Sequence, residues 1–396
     1  MDLNRITAES ALAPGLVYFD HAAASVPPRC VVDTMTAYLD ETARTGPYLP
    51  AFRRETYARV EQVRAATAAF VGAKASEIAF TKNGSEAISL VAAGIDWQDG
   101  DEVVLSDFEM ISNQAPWLQL QAQGRVSVVV VPANADGVME VDTLAKYLTP
   151  RTRLISMAHL PNVTGALQPI DAICALAREH NVWTLINATQ TVGMVPIDVR
   201  ALGCDFLATC GRKALRGPEG SGFLYVREAL ITQLRPALIG WWNGSVDAAG
   251  ALSLPPTAKR FEAGCPIVPS ILGMGEAIAF AQSLGMADIY ARVQQLTRYA
   301  VEQLQTLPGA EIYGPSKVEQ RLSLVPFNVK GLEADAIVAH LEAAGVIIEA
   351  GHFMATPILK RFNIERMARL AVHYFNSEQE IDRAVALIRE LLDKRS

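Results

Sequence analysis

Seven short apolar, β-branched runs, with helical stretches set between them, constrain this chain more than any other feature. They are "EIAFT" (77–81), "EVVLS" (102–106), "VSVVVVP" (126–132), "RLISMAH" (153–159), "WTLIN" (183–187), "DFLAT" (205–209) and "GFLYV" (222–226). The stretches between them, such as "PIDAICALAREHN", carry apolar residues at helical spacing. Near-continuous apolar strands alternating with helices predict an α/β fold around a mostly parallel seven-stranded sheet, covered on both faces. Beyond residue 226 the pattern changes. Residues 227–270 are rich in Pro, Gly and Trp, and then "SILGMGEAIAFAQSLG", "IYARVQQLTRYAVEQLQTL", "ADAIVAHLEAAG" and "SEQEIDRAVALIRELLD" read as helices around "RLSLVPFNV". The expected organisation is a large domain over 18–265 and a smaller α+β domain formed by 1–17 and 266–396.

With 396 residues, half of them hydrophobic and 19% charged, the chain has ample material for a core of that size. A formal net charge of −7 argues against nucleic acid or an anionic membrane as partner. No run reaches the roughly 18 apolar residues of a membrane span, and the first residues, "MDLNRITAES", lack the pattern of a secretory signal. The five cysteines form no CxxC pair and read as reduced thiols of a cytoplasmic protein. The six histidines show no HExxH spacing, so no metal is expected.

An open parallel sheet binds ligands beyond the carboxyl ends of its strands. Several polar residues fall there. Gly84 and Ser85 open a helix after "IAFT", a natural seat for a phosphate, although Ser85 could equally serve as a helix cap. Asn187 and Gln190 follow "WTLI", and Arg212 and Lys213 follow "DFLATCG". The lysine loop is not a Walker A loop, because its glycines come after the lysine. A lysine able to condense with an aldehyde, beside groups suited to a phosphate and a heteroaromatic ring, describes pyridoxal 5′-phosphate.

The chain resembles the fold-type I enzymes that use this cofactor, in the class-V aminotransferase group with its cysteine desulfurases and isopenicillin N epimerase-like proteins. The resemblance runs nearly end to end, through "YFDHAAASVPP", "FTKNGSEAISLV", "FEMISNQAPW", "HLPNVTG", "INATQTVG", "CGRKALRGPEGSGFLYV", "RFEAGCP" and "EAGHFMATPILKRFNI" with the following "MARLAVHYFNSEQEID". It implies that Lys213 is the Schiff-base lysine and that Gly84, Ser85 and Arg212 hold the phosphate. It further implies that Gln190 donates to the cofactor's phenolate oxygen, that Asn162 and His21 lie with the substrate, and that Arg369 grips the substrate α-carboxylate.

Four departures from that pattern, over five positions, stand out. Asn187 replaces the strand-end aspartate that keeps the pyridine nitrogen protonated, which weakens the electron sink. Met354, in "GHFMATP", stands where desulfurases carry a nucleophilic cysteine. Met110 replaces the ring-stacking residue, though its sulfur can still pack on a π face. Cys210 and Cys265 stand where hydroxyl residues often meet the phosphate, or are simply small residues; position 265 in relatives reaches the partner subunit's cofactor, which implies a homodimer.

From these departures the expected function is a C–S β-lyase acting on an S-substituted cysteine or its sulfoxide, giving thiol or sulfenate, pyruvate and ammonia. The expectation includes that the enzyme is not a persulfide-forming cysteine desulfurase. The alternatives are epimerisation or decarboxylation-coupled oxidative deamination of a related amino acid, or a non-catalytic protein on the same fold.

Overall fold

The structure, a computed structural model, describes residues 2–10 and 12–394. All seven predicted runs are strands: β1 (Ile78–Phe80), β2 (Glu102–Ser106), β3 (Ser127–Val131), β4 (Thr152–Ala158), β5 (Trp183–Asn187), β6 (Phe206–Cys210) and β7 (Gly222–Val226). They form one sheet in the order β1-β7-β6-β5-β4-β2-β3. Every pairing is parallel except those of β7, which runs antiparallel to β1 and β6. The predicted fold class is the observed one. β1, β2, β6 and β7 are buried along their whole length, as strands covered on both faces must be, whereas edge strand β3 leaves Ser127 and Val130 exposed.

Helices cover the sheet. They include α1 (Arg29–Thr45), α2 (Pro50–Phe70), α3 (Gly84–Gly94), α4 (Ile111–Ala122) and α5 (Ile170–Glu179). The sequence pattern did not announce α1 and α2. Only Val31 of α1 is fully buried, and α2 buries Thr56, Arg64 and Thr67 alongside Phe52 and Val60, so neither shows a clean apolar stripe. Arg64 is tolerated inside because Glu61 and Glu262 pair with it and its guanidinium lies over the Phe80 ring.

The C-terminal part is built on a four-stranded antiparallel sheet of β8 (Ala310–Ile312), β9 (Leu324–Val329), β10 (Glu349–Gly351) and β11 (Met367–Ala371), in the order β8-β9-β11-β10. Helices α6 (Val268–Leu284), α7 (Met286–Gln305), α8 (Ala334–Ala343) and α9 (Glu378–Asp393) accompany it. A reciprocal Ser377–Glu380 capping box starts α9. Helix α6 joins the two halves: Ile271, Leu272 and Met274 pack with Val60 and Ile78, while Phe280 and Leu284 pack with Leu324 and Ile381.

The N-terminal segment returns to this second sheet. Val17 and Tyr18 pair in parallel with Val346 and Ile347, and Ala371 N donates to Phe19 O at 2.8 Å. That pairing sets Asp20 beside β11. Among the described residues no helix is long and apolar enough to cross a membrane.

Candidate active site

Turns at the carboxyl ends of β2, β4, β5 and β6 meet in one cleft, lined by Glu109, Met110, Ala158, Leu160, Asn162, Asn187, Thr189, Gln190 and Lys213. The sheet register explains the meeting. Ala158 pairs with Asn187, and Asn187 with Ala208, so β4 and β5 end level and β6 runs two residues further, to Cys210. Five residues singled out from sequence therefore share one wall: Met110, Asn162, Asn187, Gln190 and Lys213.

The lysine loop is fixed from several sides. Ser25 N donates to Arg212 O at 2.7 Å, Gly211 N to Ser221 O at 2.8 Å and Arg216 N to Lys213 O at 2.9 Å. Arg216 sits in the left-handed region at φ 59°, a conformation that costs a non-glycine residue about 1–3 kcal/mol. Its guanidinium holds Val26 O at 2.8 Å and Ser10 Oγ at 2.6 Å and lies 4.2 Å from the Phe375 ring centre. Burial holds the Lys213 amine below its ordinary pKa, with Arg369 and Arg212 adding to that and Cys210 and Asp20 opposing it. An amine biased toward its neutral form is what condensation with an aldehyde requires. Burial likewise pushes the Cys210 thiol up, which keeps it a protonated small residue.

The phosphate seat expected from the sequence falls at the N-terminus of α3. Asn83 caps it, its side chain accepting from Glu86 N at 2.9 Å, so the capping alternative for Ser85 falls away. Ser85 itself is exposed and shares a groove with Ile111 and Ser112 of α4. Gly84 is buried, and a Cβ there would stand 2.7 Å from Thr189 Oγ1, so any larger residue would have to displace the Thr189 hydroxyl where α3 meets the β5 turn. Arg212 is 41% exposed and only loosely paired with Glu219 at 3.7 Å, which leaves its guanidinium available to an anion.

Gln190 donates from Nε2 to Ala22 O at 2.8 Å, tying the "HAAAS" segment to the β5 turn. His21 itself does not line the cleft. Its ring is fully buried, with Nδ1 at 3.1 Å from Ser25 Oγ and Nε2 at 3.0 Å from Tyr18 O and 3.2 Å from Asn376 Oδ1. Burial, helped by Arg216, depresses its pKa to about 3, so the ring is neutral and Nε2 carries the proton toward its two acceptors. Cys265 is exposed and lines a different cavity, with Thr81, Lys82, Gly220 and Trp242.

Arg369 is 2% exposed on β11. Its Nη1 donates to Asn162 O at 2.9 Å, and its Nη2 reaches Asp20 Oδ1 at 3.0 Å and Glu349 Oε2 at 2.6 Å. The guanidinium carbon lies 4.0 Å from the Phe353 ring centre. Among the described residues, Arg369 Nε and Asn162 Oδ1 are buried without a hydrogen-bond partner. A free donor and a free acceptor on two residues already joined by a hydrogen bond suit a ligand carrying both an anion and a donor. Met354 follows Phe353 on the loop over this arginine, 54% exposed at φ 57°.

Three carboxylates at the site escaped the sequence reading. Glu109 is fully buried and accepts from Ser106 Oγ, Asn113 Nδ2 and Ala158 N, and burial pushes its pKa up to about 7. Asp20 is pushed up to about 6 by burial, with Glu349 adding and Arg369 opposing. Glu349 pairs with Arg369 across the β10–β11 ladder. The available signal was a lone charge in an otherwise apolar run, which does not say what it faces.

The aminotransferase class-V family matches residues 17–384. The cysteine desulfurase of Salmonella agona (strain SL483) is 34% identical over 382 residues, which are 94% of this chain and 92% of that one. The cysteine desulfurase CsdA from Escherichia coli superposes with a TM-score of 0.92 at 26% identity, over 100% of both chains. The cystine C–S lyase C-DES, in a structure with glycine covalently linked to its pyridoxal phosphate cofactor, gives a TM-score of 0.89 at 25% identity, over 98% of this chain and 99% of that one. The likenesses to cysteine desulfurases overturn the expected reaction. The relatives at 33–34% identity are cysteine desulfurases, against the expectation of an S-conjugate β-lyase that forms no persulfide, and its alternatives fall with it. Met354 alone does not decide the reaction, since a thiol that receives sulfur need not sit at position 354. The residues around Lys213 also fit the expected cofactor: an amine held toward its neutral form, a glycine-lined helix N-terminus, an available arginine and amides at the strand end. The chain belongs to the class-V aminotransferase family and uses pyridoxal 5′-phosphate.

Proposed function

We propose that the chain is a cysteine desulfurase, which takes sulfur from free L-cysteine, leaves L-alanine and gives the sulfur to a thiol. The observation that carries this reading is the union of the Lys213 amine with Arg369 through Asn162, which sets an amine-condensing group and a carboxylate grip in one small site. Gly84, Ser85 and Arg212 would hold the phosphate, Asn187 and Gln190 the edges of the ring, and Met110 its face. Bound pyridoxal phosphate draws electrons from the Cα and Cβ of an amino acid joined to it.

The residues of the chain do the rest. Arg369 holds the α-carboxylate, and Lys213 removes the Cα proton and returns protons as the product leaves. A thiolate attacks the cysteine Sγ, an S–S bond forms, the Cβ–Sγ bond breaks, and Cβ takes a proton to become the alanine methyl. The two sulfurs joined in the new S–S bond are each oxidised by one electron and Cβ is reduced by two, so no outside oxidant enters.

The thioether of Met354 cannot be that acceptor. Burial pushes the Cys30 and Cys174 thiols up to about 11 and raises those of Cys204 and Cys210, which leaves exposed Cys265 or a small thiol from solution. A second copy of the chain fits the exposed Leu238, Ile239, Trp241 and Ile267 near the cavity of Cys265 and makes a homodimer the working form. Five unpaired cysteines suit a reducing, cytoplasmic setting.

The test follows sulfur from L-cysteine with and without added dithiothreitol, in the holoenzyme and in Cys265→Ser. Sulfide release that depends on the added thiol, or a persulfide on Cys265, supports the reading. No sulfur release from L-cysteine under either condition overturns it.

A further inference from the structure

Arg369 stands between two carboxylates before any substrate arrives. Glu349 lies directly opposite it across the β10–β11 ladder, so sheet register, not a chance rotamer, keeps the two side chains together. Glu349 Oε2 and Asp20 Oδ1 share the same nitrogen, Nη2, at 2.6 and 3.0 Å, while Nη1 is spent on Asn162 O and Nε has no partner. A carboxylate binding side-on to an arginine uses Nε and Nη2 together. That edge is the one Glu349 half occupies. Of the two carboxylates, Asp20 is 15% exposed and Glu349 44%, so Glu349 is the one free to move into solvent.

We propose that Glu349 is a specificity-determining residue: it covers the substrate edge of Arg369 in the empty protein, yields to an amino-acid carboxylate, and then rejects substrates carrying a second anion. The proposal rests on the reading of Arg369 as the grip for an amino-acid substrate. Three carboxylates cannot share one guanidinium, so Glu349 leaves when the substrate carboxylate enters. It stays at the mouth as an unpaired negative charge. An amino acid with a neutral side chain meets that charge once, through its carboxylate; one with a sulfonate, sulfinate or second carboxylate meets it twice.

The experiment titrates the holoenzyme with L-alanine and with L-cysteate, reading the absorption of the bound cofactor in the near-ultraviolet and visible. Glu349→Gln keeps the shape and a hydrogen bond to Arg369 but removes the charge. The expected result is a Kd for L-alanine lower by roughly tenfold and a Kd for L-cysteate lower by a clearly larger factor. Glu349→Asp, which keeps the charge, should preserve the wild-type ratio of the two constants. Equal constants in wild type and Glu349→Gln, or an L-cysteate gain no larger than that for L-alanine, overturn the proposal. An absorption that responds to neither amino acid in any of the proteins overturns the reading of the site itself, and the proposal with it.

Discussion

Asn187 is the residue whose chemistry differs most from what its position asks. It accepts from Thr189 N at 3.2 Å and faces the cleft as a neutral amide. An ionised carboxylate there would favour a protonated ring nitrogen. Asn187→Asp should therefore raise kcat with L-cysteine by roughly threefold or more, measured as alanine formed under saturating substrate; an unchanged or lower kcat would show that the ring nitrogen is not opposite this residue. At this scale the sequence was informative for most residues that sit in a motif. Lys213, Asn162, Asn187, Gln190 and Met110 could all be picked out and do line one cleft. Glu349 could not, because its meaning comes from a cross-strand partner 20 residues away. His21 was misleading for the converse reason: its segment reaches the site through the backbone of Ala22 and Ser25, while its ring turns into the protein.

Among the elements, the turn after β5 and the lysine loop are locked by a glycine contact. Gly193 has φ 103°, and a Cβ there would stand 2.5 Å from both Ala214 O and Leu215 Cα. Gly193→Ala should destabilise the protein by about 2 kcal/mol or more and weaken cofactor retention together, because the strain and the clash both fall on the Lys213 loop. Chemical denaturation and the cofactor absorption after dialysis check it; a variant with wild-type stability would mean that the two loops are not packed as described. All seven strands of the large sheet were legible: those buried on both faces are apolar throughout, and edge strand β3 is still a run of four valines. Helices α1 and α2 were not, because one is mostly exposed and the other buries Thr56, Arg64 and Thr67 among its apolar residues.

For the molecule as a whole, buried neutral histidines tie stability to pH. His159 is buried against Thr191 Oγ1 at 3.0 Å, and burial lowers its pKa from 6.5 to about 3. The folded form thus binds a proton more weakly than the unfolded chain, and stability present above about pH 6.5 is lost as pH falls toward 3. Between pH 7.5 and 5.5 the wild type should lose about 1.4 kcal/mol relative to His159→Gln, which cannot protonate. Urea unfolding of both proteins at the two pH values measures the difference, and parallel behaviour would contradict a neutral buried ring.

At the same scale the fold and cofactor were readable from motifs spread along the chain, but the reaction was not, because Met354 speaks only for the place where sulfur does not go. In the proposed reaction sulfur leaves cysteine with Cβ reduced to a methyl. The direct measurement is the carbon product from L-cysteine and the holoenzyme with a small thiol present. The expected result is L-alanine in step with the sulfur released and no product from Lys213→Ala; pyruvate and ammonia in place of alanine would rule the proposed reaction out.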